Sequence, residues 1–351
     1  MKAGFTAGQV VSPEDLSQLD REAWSQFLAP QPLAFLSLSF ARAVGSCVPL
    51  VRVCRIVRDG RPVAYFPFQY RSRAHAIAGI GERLGGELSD YFGLVAEPGF
   101  CITPKTLLRL SGLRSLLFSQ LDEGQSDKGL FGEKPEIGFR IDFPRGGQEF
   151  WEEKGRNDRK FVSDTERRER KLVQEYGPIS FVFSDGDAER SLDRLIADKR
   201  SQYQRTHVRD VLSEERARAI LRALCRTQDP QCEGILSTLH AGDTWVASHF
   251  GLRSGSTLHY WFPVYNPALK TFAPGRLLLK QIILSAQHNC LERIDRGGGD
   301  SPAKRDFATS QHFFYSGLWQ VPSVVAVTHH IGLSIAWRAA RYMAQDKAIP
   351  N

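Results

Sequence analysis

The sequence predicts an α/β protein of two tandem, similar domains, each a mixed, largely antiparallel sheet flanked by helices. Three observations lead there. The chain has 351 residues, 42% of them hydrophobic and 24% charged, enough to build two cores without disulfides or metals. Helical and strand periodicities alternate along it. A helix-then-hairpin order occurs in both halves, with Asp59-Gly60 before Val63-Ala64 in the first and Gly242-Asp243 before Val246-Ala247 in the second. That echo is short, but it sits at corresponding hairpin turns, as a duplicated fold requires. The domains are read as 1–140 and 141–351.

The elements follow in order. Residues 12–29 predict a helix, with Ser12 before it, Pro13 at its first position, Glu14 and Asp15 in its first turn, and an apolar face of Trp24, Phe27 and Leu28. Pro30 and Pro32 end it, and 33–44 reads as a second helix. Residues 51–58 alternate, Asp59-Gly60 turns and 63–68 returns, a strong hairpin signal. Residues 79–93 are loop-rich. Thr103-Pro104 opens a helix to about 121, and 122–136 is polar loop. A long charged helix covers 154–176, closed by Gly177-Pro178. A strand at 179–183 and helices at 187–202 and 213–226 come next, the last with Ser213 as its cap. An antiparallel meander covers 234–240, 244–252 and 257–264. An amphipathic helix at 276–289 leads to a short apolar strand ending on Asp295, a glycine run at Gly297, Gly298 and Gly299, and strand material at 313–327. The apolar run 324–337 contains His329 and His330 and is too short and polar to span a bilayer, so it reads as a buried helix.

Composition narrows the classes. A net charge of +7 fits an anionic ligand such as a nucleotide, coenzyme A or a sugar nucleotide, and equally tRNA or a membrane surface. The six cysteines are scattered, none at zinc-knuckle spacing, and no metal site is expected. The start lacks an apolar signal core. The expectation is a cytoplasmic protein with reduced thiols, or one peripheral to the inner membrane. There is no phosphate-binding P-loop, dinucleotide fingerprint or Ser-His-Asp order, and nothing points to DNA.

The segment 271–300 carries the chemistry. Leu278, Leu279, Ile282, Ile283 and Ala286 make one helical face. Thr271, Ala273, Pro274 and Gly275 form the turn at its entrance, and Arg276 follows. A helix start presents free N–H groups and the positive end of the dipole. Gly275 has no side chain to block a pyrophosphate, and Arg276 adds charge. The same residues also read as an ordinary Pro-Gly helix start. Asp295, at a strand end facing a cleft, is suited to orient or deprotonate an attacking amine or hydroxyl. Its alternative role is to cap the turn, with Asp300 pairing Lys304 or Arg305. Lys304 could neutralise a phosphate or a developing oxyanion. Tyr265 and His249, on the meander, are either acid–base candidates or core residues. Asp90 and Tyr91 either line an acceptor pocket or form a structural turn. The helix at 154–171 mixes eight basic residues with Asp158, Asp164, Glu166 and Glu169, and reads as a solvated face or as a surface for an anionic substrate or tRNA.

The meander, helix and strand order is similar to acetyltransferases of the GNAT superfamily, where acyl-coenzyme A sits at the corresponding helix start. Ser-Asp-Tyr-Phe-Gly at 89–93, Tyr265 followed by Ala-Pro-Gly at 273–275, and Ile-Asp-Arg-Gly-Gly-Gly-Asp at 294–300 with Lys304 resemble the CelD-like acyltransferases of polysaccharide biosynthesis, relatives of the FemAB transferases. The resemblance spans roughly residues 20–320 and is clearest at 234–307. That family often has an aromatic residue before the lysine, where this chain has Ala303. The resemblance implies two GNAT-like domains, acetyl-CoA or another acyl-CoA as co-substrate, and no metal. It places the donor at Thr271, Ala273, Pro274, Gly275 and Arg276. Chemistry falls to Asp295, Lys304 and Tyr265, and acceptor contacts to Asp90, Tyr91, His249 and Asp300. The acceptor implied is an amino sugar or related small-molecule or lipid-linked precursor, with polysaccharide-biosynthesis proteins as possible partners. Two alternatives stand beside it: a FemAB-like transferase using aminoacyl-tRNA, and a non-catalytic GNAT-fold partner of a polysaccharide assembly complex.

Overall fold

Caps and strand alternation set the element boundaries in the computed structural model, in which residues 6–322 are described. The first half runs β1 (Thr6–Val11), α1 (Gln18–Leu28), α2 (Leu38–Cys47), β2 (Val51–Arg58), β3 (Arg61–Gln69), α3 (Arg73–Ala78), β4 (Ile80–Arg83), β5 (Val95–Ala96), α4 (Pro104–Leu110), β6 (Ser115–Asp122) and β7 (Lys134–Asp142). Two helices follow, α5 (Gly147–Asn157) and α6 (Arg159–Tyr176). The second half runs β8 (Ile179–Val182), α7 (Ala188–Thr206), α8 (Glu215–Cys225), β9 (Gln228–Asp229), β10 (Cys232–Ala241), β11 (Thr244–Ser254), β12 (Thr257–Tyr265), α9 (Pro274–Leu284), β13 (Arg293–Gly298), α10 (Pro302–Arg305) and β14 (Ser310–Gln320).

Several boundaries depart from the sequence reading, each for a local reason. Ser17, not Ser12, caps the first helix: its hydroxyl accepts from the Asp20 N–H while the Asp20 carboxylate accepts from the Ser17 N–H. Ser37 caps α2 through its hydroxyl alone, which accepts from the Phe40 N–H, so that helix starts five residues later than expected. The helix expected over 103–121 is α4 followed by strand β6, where Leu116 and Phe118 are buried and Leu117 between them is exposed. The loop expected over 122–136 holds the start of β7. The helix expected over 154–176 is broken at Asp158, whose side chain leaves the helix to accept from the Phe161 N–H and restart it as α6. Glu214 rather than Ser213 stands at the α8 cap. The apolar run 324–337 and the end of the strand expected over 313–327 lie outside the described residues. Among the described residues no helix is long and apolar enough to cross a membrane.

The strands form one mixed sheet in the order β1-β2-β3-β4-β6-β14-β7-β13-β12-β11-β10-β8. The two halves repeat one plan. A strand and two helices (β1-α1-α2, β8-α7-α8) precede three antiparallel strands (β2-β3-β4, β10-β11-β12). A connection containing a helix (α4, α9) then leads to a strand parallel to the third, β6 beside β4 and β13 beside β12. The final strands are exchanged: β7 pairs with β13, and β14 inserts between β6 and β7. The exchange makes the sheet continuous across the halves. The core is continuous too, since Phe40, Val44 and Tyr91 of the first half pack in one cluster with Leu192, Leu221 and Phe250 of the second. On the other face α5, α6 and α9 cover Leu258, Tyr260 and Ile294.

Candidate active site

The parallel pair β12–β13 is short. It joins Thr257, Leu258 and His259 to Arg293, Ile294 and Asp295 and stops there. Beyond that point β12 stays with β11 as far as Tyr265, while β13 leaves with β7, where Gly298 faces Gly138. His259 and Asp295 are therefore the last pair before two parallel strands diverge.

Three further segments bring polar side chains to this vertex, the loop at 90–91, β7 and β14. Tyr91, from the first half, donates its hydroxyl proton to the Asp295 carboxylate in a short hydrogen bond. Asp90 accepts from His259 Nε2 at 2.8 Å, while His259 Nδ1 lies 3.6 Å from the Asp295 carboxylate. Arg140 of β7 places Nε 3.5 Å from Asp295 and donates weakly to the Tyr91 hydroxyl. His312 of β14 has Nε2 3.1 Å from that hydroxyl. A phenol has one proton, and it goes to the carboxylate, so His312 Nε2 is the donor and its buried Nδ1 carries the lone pair. The Gly297 N–H donates to Asp295 at 2.7 Å. Gly297 has φ +62°, and a Cβ there would stand 3.2 Å from the Asp90 carboxylate, so this position favours glycine on both counts.

Burial sorts the protons. It favours the neutral form of His259, but hydrogen bonds and charge from Asp295 and Asp90 outweigh it and raise the imidazole to about 9. Burial also pushes Asp295 up, and His259, His312 and Arg140 more than reverse this, holding the carboxyl well below its usual range. Tyr91 is raised far above an ordinary phenol by burial and by the Asp295 charge. His312 is lowered to about 4, mainly by burial. At neutral pH the cluster holds ionised Asp295, protonated His259 and Arg140, a protonated Tyr91 hydroxyl and neutral His312. A cavity of about 270 Å³, bounded by residues 30–33, Asp122, Glu123, Thr257 and Arg293, opens onto Arg140 and Asp295.

Residues 159–305 match the family of acetyltransferase (GNAT) domains. The chain carries a GNAT-type acetyltransferase domain. The whole fold is similar to three solved structures, each at 11% identity. FemX aligns over 88% of this chain and 97% of its own, with a TM-score of 0.56. A conserved protein of unknown function from Bacteroides thetaiotaomicron aligns over 86% and 98%, at 0.55. The C-terminal domain of a protein described as a lysylphosphatidylglycerol synthetase, from Agrobacterium fabrum, aligns over 88% and 94%, at 0.52. At this identity the likeness is one of fold. No curated protein matches the chain by sequence.

The residues singled out from sequence fall in three places, all but Asp90 and Tyr91 within the matched segment 159–305. Asp295, Asp90 and Tyr91 meet at the vertex, with Lys304 beside them: its Nζ donates to the carbonyls of Gly298 and Gly297, tying α10 to the glycine run. Thr271, Ala273, Pro274, Gly275 and Arg276 form the α9 start. There Ala273 has φ +53°, and the Arg276 and Leu277 N–H groups both return to the Ala273 carbonyl. Pro274 has no N–H, which leaves Gly275 as the open donor of that turn, with nothing within 4 Å of where its Cβ would be. The Arg276 guanidinium turns away, 3.2 Å from Asp164 and over the Phe161 ring at 4.4 Å. Of the remaining three, Tyr265 and Asp300 stand apart and His249 lies behind His259 on the neighbouring strand. Tyr265 is six residues beyond His259 on β12, roughly 20 Å along the strand. His249 is buried, stacked on Tyr260 at 4.2 Å and accepting from the Trp261 N–H. Asp300 pairs with Arg305 at 2.5 Å near the surface. Among the described residues no group of three or more His, Cys, Asp and Glu side chains is arranged to hold a metal ion.

His259, Arg140 and His312 were not singled out from sequence. Each sits inside a strand among hydrophobic neighbours, and the available signal was a polar side chain sharing a strand face with buried residues, as His312 does with Phe314. That signal marks a buried polar group without naming its partners, which come from three other strands and a loop.

Proposed function

We propose that the chain is an acyl-CoA-dependent acyltransferase, transferring an acetyl group in the first instance to the amine or hydroxyl of an amino sugar or related precursor of polysaccharide or cell-envelope biosynthesis. The observation that carries this reading is the vertex: a GNAT-type strand splay whose last pair, His259 and Asp295, is closed by Asp90 and Tyr91 from the other half. The edge of β12 beyond His259 has no strand partner among the described residues and suits the amide chain of a thioester donor by β-type pairing. The acceptor enters from the cavity beside Arg140 and Asp295. Its nitrogen or oxygen attacks the thioester carbonyl carbon, the new bond forms as the carbon–sulfur bond breaks, and the acceptor's proton leaves to solvent while the departing thiolate takes one up.

Asp295 is too strongly stabilised as a carboxylate to serve as the proton acceptor, so its role is to fix Tyr91, Arg140 and His259 around the reacting centre. Rate enhancement on this reading comes from positioning and from preorganised charge. The choice of an amino sugar rests on the CelD-like resemblance.

The test is thiol release from acetyl-CoA and longer acyl-CoA species with a panel of amino sugars and sugar nucleotides. Wild-type turnover is expected, with Tyr91→Phe about 100-fold slower in kcat. The absence of both thiol release and thermal stabilisation with every acyl-CoA removes the reading. A second reading, aminoacyl transfer from tRNA, is favoured by the exposed Arg167, Arg170 and Lys171 on α6, and it predicts tRNA binding that acyl-CoA does not displace. A non-catalytic role predicts no saturable donor of either kind.

A further inference from the structure

The cation that the sequence offered to a phosphate at the α9 start, Arg276, is committed to Asp164 and Phe161. Other cations stand at the same turn. Helix α6 lies outside the repeated plan of the two halves and packs along α9 and the segment before it. It is clamped there: Lys280 pairs with Glu169, Gln281 donates to Glu169 at 2.9 Å, and Arg168 donates to the Thr271 carbonyl. Between α6 and the turn is a pocket of about 550 Å³ lined by Arg167, Arg168, Lys171, Gln174, Glu175, Thr271 and Phe272. Its walls carry three cations and one carboxylate. Arg167 and Lys171 are one helical turn apart on the same face and exposed; Arg167 donates to Asp164 at 2.5 Å in an exposed pair that contributes little, whereas Arg276 is also held over the Phe161 ring. Lys171 has no carboxylate within ion-pair reach among the described residues. Phe272 supplies an apolar wall.

We propose that this pocket binds the phosphorylated nucleoside end of the acyl donor, with Arg167 and Lys171 on the adenosine phosphate of coenzyme A and Phe272 beside the base. The inference rests on the acyl-CoA reading and extends it to residues outside the repeated fold. A compact phosphorylated nucleoside fits better than a nucleic-acid backbone. The pocket is concave and local, whereas along the rest of α6 Asp164, Glu166 and Glu169 interrupt the positive charge.

The test is calorimetric binding of coenzyme A, dephospho-coenzyme A and adenosine 3′,5′-bisphosphate to the wild-type chain, to Lys171→Ala and to Arg167→Ala/Lys171→Ala. Both side chains are exposed, so the variants should keep the wild-type melting temperature. The expected result is that coenzyme A binds the wild type about tenfold or more tightly than dephospho-coenzyme A, and that the double variant loses this preference. If coenzyme A binds all three proteins alike, the pocket is overturned while the acyl-CoA reading stands. If the bisphosphate binds the wild type and not the double variant, yet acyl-CoA produces no transfer, the pocket stands and the acyl-CoA reading falls. If neither coenzyme A nor the bisphosphate binds, or if only tRNA binds and depends on Arg167 and Lys171, the proposal is overturned.

Discussion

The two halves share one plan and treat its central opening in opposite ways. In the first half β4 and β6 pair in parallel over three residues and then separate. The connection between them is long, and it returns to fill the gap. Phe92 bridges to Leu121, takes the Gln120 carbonyl on its N–H and packs among Phe66, Phe118 and Trp319. In the second half the same separation follows His259 and Asp295, but the chain passes through a 3-10 turn at Pro267–Phe272 directly into α9, and no bridge of that kind crosses the gap among the described residues. The residues that plug the first opening are continuous with those that furnish the second, since Asp90 and Tyr91 immediately precede Phe92. One copy of the fold has thus become a scaffold that delivers side chains to the other.

The largest effect should come from removing the charge on which both halves converge. Asp295→Asn leaves His259 and Arg140 facing each other without their common carboxylate. Breaking a buried ion pair from one side costs about 3–5 kcal/mol, and transfer activity should disappear with the interdomain contact. Urea denaturation and thiol-release assays read the two losses. An unchanged midpoint would mean that the halves are held together without this cluster.

Phe92→Ala tests the opposite side of the comparison. It empties the plug of the first half and should cost about 3 kcal/mol through lost burial and the cavity left behind. Because Tyr91 is the next residue, the variant should also weaken acceptor KM more than donor affinity. A loss confined to stability, with KM untouched, would separate the plug from the site.

A smaller and graded effect is expected from pH. His259 is raised from 6.5 to about 9 in the folded protein. Its contribution to stability is therefore complete below pH 6.5 and is lost as pH rises through about 9. His249 and His312 are lowered, to about 3 and about 4, so their contributions hold above pH 6.5 and fade as pH falls toward those values. Lys199, buried and lowered to about 8, opposes the alkaline trend of His259. The informative measurement is thus the difference between wild type and His259→Gln across pH 6–9.5. The wild type should lose its advantage as pH rises, and parallel curves would show that His259 is not the titrating group.

How much of this was legible beforehand depends on whether the signal is local. The Asp59-Gly60 hairpin, the β10–β12 meander and α9 follow from turn chemistry and periodicity, and the echo at Val63-Ala64 and Val246-Ala247 marks the hairpins that correspond in the repeated plan. Strand β6 is hidden because Leu107, Leu110, Leu113, Leu117 and Leu121 also recur at the three- and four-residue spacing of a helix, and β7 because its first residues, Lys134-Pro135-Glu136, read as loop. Asp295, Asp90 and Tyr91 could be named from sequence. Their meeting could not, because it depends on the exchange of β7 and β14, which brings Arg140 and His312 between the halves and leaves no mark within either strand.

The smallest structural effect, and the sharpest division between the two openings, belongs to Gly275. Its φ is not positive, no atom stands within 4 Å of its missing Cβ, and it lies in the first turn of α9. Gly275→Ala should therefore be neutral or stabilising by up to about 1 kcal/mol, by restricting the unfolded chain. Gly275→Glu should also fold, since an acid at a helix start is favourable, but it places a carboxylate where the turn would meet a donor phosphate. On the acyl-CoA reading its melting temperature stays near that of wild type while coenzyme A affinity falls about 100-fold or more. The paired measurement matters because the vertex is untouched by either change. If Gly275→Glu binds coenzyme A as well as Gly275→Ala does, the donor's phosphates are not at α9, and the open second half differs from the plugged first half in shape alone.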